Sequence, residues 1–293
     1  MSSNTLSLAL AHDEPVYLRI LGWMRRDPRG AASLLVLLVM VGAALLAPWI
    51  APYSPTEQDL ANTLAPASAE HWMGTDDLGR DVFSRLIHGT SMSIYAAFLA
   101  VGIGLAVGVP FGLLAGFLGG WVDEVISRVI DALLSFPAIV LAVAVTGAMG
   151  IGLTNAMIAV GLVFAPQLAR LVRARTLVVR QELYVDAARC FGASTGRILV
   201  RHVLPNAIQP VIVQATLLLA VALLAEASLS FLGLGIQPPE VSWGAMLARA
   251  YMYMEIAPEQ MYAPGLMIMI TALAFNTMGE SLRVALDPTM KAR

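Results

Sequence analysis

Gly192-Ala-Ser194-Thr-Gly196 has the Gly-x-Ser-x-Gly spacing of a hydrolase nucleophile elbow, and His202 follows it closely. An elbow needs a strand before the serine and a helix after it, within an α/β sheet. The residues before Gly192 read as helix and no such sheet is patterned, so a turn between two short helices is predicted there. The stretch Thr75 to Asp81 supplies the carboxylates of Asp76, Asp77 and Asp81, which suggests Ca²⁺. It lacks the twelve-residue spacing and terminal Glu of an EF-hand, and capping of a following helix by Asp77 or a neighbour accounts for it more cheaply. Met246, Met252, Met254, Met261, Met267 and Met269 read as apolar filler rather than soft-metal ligands. Cys190 is the only cysteine, which excludes an intrachain disulfide and a Cys-based zinc cluster. A P-loop needs Gly-Lys followed by Ser or Thr; the only lysine is Lys291, and Ala292 follows it. Nucleotide hydrolysis by this motif is excluded.

The elements that carry these residues are set by composition. Of 293 residues, 58% are hydrophobic and 13% charged, against roughly 25% charged in a soluble domain. Apolar runs of about 20 residues, the length that crosses a hydrocarbon core of roughly 30 Å, occur six times: Ala31 to Ile50, Ser93 to Phe117, Ile130 to Met149, Asn155 to Val172, Ala207 to Leu232 and Tyr262 to Leu282. The first is too long for a signal-peptide core and reads as an uncleaved span. Cytoplasmic loops retain Lys and Arg. With the N-terminus inside, fifteen bases fall in the cytoplasm, including Arg19, Arg25, Arg26, Arg128, Arg170, Arg173, Arg180, Arg189, Lys291 and Arg293. Only Arg80, Arg85 and Arg249 fall outside. The expected organisation is a cytoplasmic segment at 1–30, a first span with its external loop at 31–92, and a core at 93–293 holding five spans and a basic internal loop at 173–206. The external loop should end in a short helix from Arg80 to Ile87, and Pro238 with Pro239 should interrupt any helix between Leu234 and Met261.

Within the second span, Gly104, Gly108, Gly112, Gly116 and Gly120 recur every four residues on one helical face. Such a face admits a second helix closely, either within the chain or on a partner subunit, and Pro110 among them predicts a kink. Glu226 and Asp131 are ionisable groups in apolar runs and must find a partner, water or a proton. Asn276 could hydrogen-bond across helices. In the internal loop a helix from Glu182 is stopped by Gly192, with Tyr184, Ala187, Ala188 and Phe191 on roughly one face; a second helix follows from Thr195 to Val203, ended by Pro205. An apolar face on a water-exposed helix seeks a partner.

Asp186-Ala187-Ala188, three residues, Gly192, then Leu204-Pro205 resembles the EAA loop of binding-protein-dependent ABC importers, with Asp186 where Glu is usual. Gly74-Thr-Asp-Asp-Leu-Gly-Arg-Asp81, Arg201-His-Val-Leu-Pro-Asn206, Glu226-Ala-Ser-Leu-Ser-Phe-Leu-Gly-Leu-Gly235, Gln237-Pro-Pro239, Ser242-Trp-Gly244 and Leu286-Asp-Pro288 resemble, in order and spacing, the C-type permease of dipeptide, oligopeptide and nickel importers. Near the end Gly279-Glu-Ser-Leu stands where that family has Gly-Asp-Gly-Leu.

The resemblance implies an all-α, polytopic protein with six transmembrane helices and the type I importer (MetI-like) permease fold, multi-pass in a bacterial inner membrane with both termini cytoplasmic. It implies a translocation subunit moving peptides or similar small solutes by alternating access, without catalysis of its own. Tyr184, Asp186, Ala187, Ala188, Phe191, Gly192, Leu204 and Pro205 would couple to an ATPase. Thr75, Asp76, Asp77, Gly79, Arg80 and Asp81 would form an external loop facing the binding protein. Gly104, Gly108, Gly112, Gly116, Glu226 and Asn276 would line the pathway or a subunit interface. Implied partners are a second homologous permease, two ATP-binding subunits that carry the ATP and Mg²⁺, an external substrate-binding protein and the lipid membrane, with no nucleic acid, and no cofactor or metal in this chain. The alternatives are an ion-coupled secondary transporter, motivated by Glu226 and Asp131, and a permease of the same family for nickel chelates or glutathione.

Overall fold

The computed structural model describes residues 27–286, and among them every regular element is helical. The expected cytoplasmic segment up to Arg26 and the Asp287-Pro288 end of the last motif lie outside the described residues. Helix α1 (Pro28–Ile50) is opened by Asp27, whose side chain accepts the Gly30 amide at 3.0 Å, with proline in its first turn. It ends at Ala51, which adopts extended backbone before Pro52. At about 1.5 Å per residue its 23 residues cover roughly 35 Å, enough for one crossing.

Helix α2 (Val82–Leu118) corrects one expectation. No separate helix spans Arg80 to Ile87; the external helix and the second span are one rod of 37 residues, capped by Asp81, which accepts the Ser84 amide at 2.7 Å. Nothing between Ile87 and Ser93 breaks the pattern, since Gly89 is tolerated where Trp243 packs on it. The helix ends at Gly119, with φ +67°, so Gly120 belongs to the next element and leaves the glycine stripe.

The third span is also corrected. It is not one helix from Ile130 to Met149 but α3 (Gly120–Leu134) and α4 (Ala138–Met149), bent by 96°. Pro137 disfavours helical backbone at Phe136 and supplies no amide of its own, and hydropathy is blind to that break. Helix α5 (Leu153–Val179) follows. The internal loop carries α6 (Leu183–Cys190), α7 (Thr195–Ile198), a π-turn (Leu199–Val203) and α8 (Leu204–Ala207). Pro205 therefore does not end the second loop helix. It sits in the first turn of α8, where its missing N–H costs nothing, and the Leu204 amide bonds five residues back to the Leu199 carbonyl. Helices α9 (Gln209–Phe231), α10 (Trp243–Met252) and α11 (Tyr262–Leu286) complete the chain.

Among the described residues five helices are long and apolar enough to cross a membrane, making six crossings if the α3–α4 pair counts as one. The core lies between α2 and α5, which run parallel: Gly104 faces Phe164 and Leu168, Gly108 faces Ala165, Gly112 faces Ala169 and Val172, and Gly116 faces Thr176. Gly161 returns the favour by lying against the Ala100 carbonyl and Ile103. Helices α9, α11 and α1 close on this pair. The Ser281 hydroxyl of α11 lies close enough to Asp27, at the start of α1, to hold its carboxyl below the usual range, so the two ends of the described chain lie on one side of the bundle. That contact lies at one of the departures from the family's terminal motif.

Candidate functional site

The loop between α5 and α9 is anchored by its apolar positions and by arginine. Val185, Ile198 and Val203 are fully or nearly fully buried, and Ala188 packs inward against the core. The Arg180 Nη1 donates to the Gly116 carbonyl at 2.9 Å, and the Arg189 guanidinium lies 5.3 Å from the Phe117 ring centre. Both contacts fix the loop to the end of α2. Asp186 does not cap the helix. Its carboxylate accepts from Arg189 at 3.0 Å and so steadies the cation stacked on Phe117.

Gly192 has φ +75° and open space around its α-carbon. It donates to the Arg189 carbonyl, and Ala193 donates to the Ala188 carbonyl, closing α6. Of the four residues placed on one face, Tyr184, Ala187 and Phe191 are exposed while Ala188 turns inward. Leu183, which sequence reasoning passed over, is 84% exposed and Phe191 90%. Leu204 is half-buried and Pro205 exposed. Ser194 is exposed just before α7 with no strand preceding it, the turn that the sequence predicts in place of an elbow.

On the other side of the bundle the acidic loop forms a buried ionic cluster. Asp76 pairs with Arg80 at 2.7 Å and Arg85 at 3.3 Å, and takes amide hydrogen bonds from Leu78 and Arg80. Asp77 pairs with Arg249 of α10 at 3.0 Å and approaches Arg80 at 3.9 Å. Asp81 binds His71 at 3.0 Å through the oxygen not used for capping. Thr75 donates to the Asn62 carbonyl, and its own carbonyl accepts from Gln260 at 2.6 Å. Gly79 has φ +70°, and any β-carbon there would overlap the Asp59 carbonyl.

The three arginines that break the charge bias of the loops, Arg80, Arg85 and Arg249, are thus all consumed in one cluster. Their exceptional position in the sequence was the signal for it; the partners, 172 residues apart for Arg249 and Asp77, were not. The carboxylates face arginine, histidine and amide donors, an arrangement for clamping two loop segments together rather than for holding a cation.

Glu226 of α9 is 1% exposed and accepts from Ser230 at 2.8 Å and Ser242 at 2.7 Å. Ser242 also caps α10 through the Ala245 amide, and Trp243 donates its indole N–H to the Leu86 carbonyl. Glu226 therefore ties α10 to α9 inside the chain and lines no open surface. Likewise Gly104, Gly108, Gly112 and Gly116 pack against α5 of the same chain, leaving no open face for a second subunit. Asn276 is exposed on α11 and makes no side-chain hydrogen bond, across helices or otherwise, among the described residues. Asp131, in contrast, pairs with Arg170 at 2.6 Å.

A helical bundle with a broken third crossing, an anchored loop on one side and a clamped cap on the other is the architecture of a multi-pass membrane protein. Residues 108–292 match the family described as binding-protein-dependent transport system inner membrane component, and residues 23–67 match the N-terminal transmembrane domain of oligopeptide transport permease C. The chain belongs to the binding-protein-dependent transport system inner membrane component family. It is a multi-pass transport subunit of an ABC importer, not an enzyme. The glutathione transport system permease protein GsiD of Shigella flexneri serotype 5b is 45% identical over 268 residues, 91% of this chain and 88% of that one. Its counterpart in Escherichia coli O157:H7 is 44% identical over the same share of each chain. A chain of the MetNI methionine ABC transporter, solved in inward-facing conformations, superposes with a TM-score of 0.55 at 23% identity, covering 69% of this chain and 97% of that one. That likeness shows the fold alone.

Proposed function

We propose that the chain carries peptides of the size of glutathione across the inner membrane, handed over by an external binding protein and driven by two ATP-binding subunits docked on the loop at 173–206. On this reading, which the bias of the Lys and Arg positions supports, that loop and both termini lie in the cytoplasm and the ionic cluster lies outside. A second, homologous permease completes the channel. ATP and Mg²⁺ reside on the partner subunits, since Lys291 offers no P-loop. The observation that carries this reading is Phe191, almost wholly exposed at the end of α6, with Leu183 and Tyr184 also exposed at its start, in a loop anchored to α2. A large ring exposed to water on an anchored loop fits a groove on another protein.

The cargo follows the relatives' name and is the finer part of the proposal. Expressing the chain with the ATP-binding subunits of its own transport system and purifying it by an affinity tag tests the docking: wild type should retain both ATPases and Phe191→Ala should lose them. Equal retention would remove the loop from the account.

A further inference from the structure

A cleft of about 360 Å³ lies where the third crossing breaks, walled by Phe136 and Ala138 beside the α3–α4 bend, Phe164 and Gln167 of α5, and Gln214 and Leu217 of α9. Its walls are apolar except for the two glutamines. Neither makes a side-chain hydrogen bond among the described residues, and both sit within helices long enough to cross a membrane. A primary amide with two donors and an acceptor is costly to leave facing hydrocarbon. Lipid is therefore a poor occupant.

A second observation points the same way. One turn along α5 from Gln167, Arg170 pairs with Asp131 of α3, and these side chains are 59% and 62% exposed. The bias of the bases puts Arg170 toward the loop end of α5, so the water that solvates this exposed pair reaches the mouth of the cleft one turn away. The open face along Gln167 and Arg170 is therefore wet. The side-chain amide presents one C=O and one N–H₂, the complement of a peptide group, and two neutral amides can grip a peptide backbone without selecting its side chains.

On the peptide-importer reading above, we propose that this cleft is the part of the translocation pathway that this subunit contributes, and that Gln167 and Gln214 hydrogen-bond the peptide groups of the passing cargo. The bend at Pro137 creates the space, since a straight third span would lay its side chains across it.

The test uses the complete importer in liposomes, comparing wild type with the Gln167→Leu, Gln214→Leu double variant by uptake of radiolabelled glutathione and trialanine and by ATP hydrolysis. Leucine has a similar length and suits a membrane-facing position, so assembly and hydrolysis should persist while peptide delivered per ATP falls at least tenfold. Undiminished delivery overturns the proposal. A second arm places Gln214→Cys in a Cys190→Ser background and offers a charged sulfonate thiol reagent or an apolar maleimide that partitions into lipid. Reaction with the charged reagent, slowed by trialanine, is expected. Reaction with the apolar reagent alone would make the cleft a lipid groove. Protection from both in the assembled importer, with reactivity in the isolated chain, would assign it to the second permease; either result overturns the proposal. Should wild type import neither peptide, the peptide reading fails, and reaction with the charged reagent still decides whether the cleft belongs to the aqueous path.

Discussion

At the scale of single residues, the loop helix and the external cluster make opposite demands on their side chains. Gly192 holds a positive φ that a β-branched residue enters at a cost of about 1 kcal/mol or more. Its surroundings are empty, so only the chain direction after α6 should change. Gly192→Val is expected to insert normally in the membrane yet lower ATPase co-purification or transport. Phe191→Ala removes an anchor worth on the order of 2 kcal/mol where it enters a partner groove. Asp186→Ala should be milder than either, because its carboxylate acts through Arg189. In the external cluster the charge is already paired inside the chain. Asp77→Ala removes the carboxylate that holds Arg249, which is about a third exposed, while Arg80 keeps Asp76, and should cost about 1–3 kcal/mol. Thermal unfolding of the detergent-solubilised protein checks this, and the double variant with Arg249→Ala should recover part of the loss. An unchanged melting temperature would show that the cluster is not a clamp.

At the scale of elements, the glycine stripe separates contact from composition. A β-carbon at Gly108 would lie 2.6 Å from the Ala165 carbonyl oxygen, and one at Gly112 would lie 2.5 Å from that of Ala169. Backbone cannot step aside as a side chain tip can. Gly108→Ala and Gly112→Ala should each destabilise by about 1–3 kcal/mol. Gly102, two residues before the stripe's first member, faces open space. Gly102→Ala should be neutral or slightly stabilising, so equal melting temperatures for all three variants would contradict the α2–α5 packing. The stripe itself was legible in sequence because a period of four defines a helix face. Its partner was not, since any apolar helix with small residues fits such a face. The bend at Pro137 was written in the sequence yet hidden inside an apolar run, because a hydropathy window averages over the residue whose backbone ends the helix. The loop helix and its terminal glycine were legible from local rules, whereas the burial of Val185 and the stacking of Arg189 on Phe117 needed the tertiary fold.

At the scale of the molecule, charge placement and structure converge. Counting the α3–α4 pair as one crossing gives six among the described residues, consistent with Asp27 lying near Ser281, and Arg80, Arg85 and Arg249 on the far side are held in the cluster. Topology has a direct test in Cys190, which is exposed on α6, against cysteines introduced at Ser68 and Glu255 in a Cys190→Ser background. An impermeant thiol reagent added to intact cells should label the two introduced sites and spare Cys190. The reverse pattern would invert the whole arrangement, placing the apolar loop helix where no ATPase can reach it.

The central claim is that this chain moves cargo only when partner subunits hydrolyse ATP. The most direct measurement is uptake of labelled glutathione into liposomes holding the complete importer, with ATP inside, compared with an importer whose ATP-binding subunits have lost their P-loop lysines. Uptake is expected in the first, uptake reduced to background in the second, and no ATP hydrolysis by this chain alone. Uptake that persists in the second, driven by an imposed proton or sodium gradient, would contradict it.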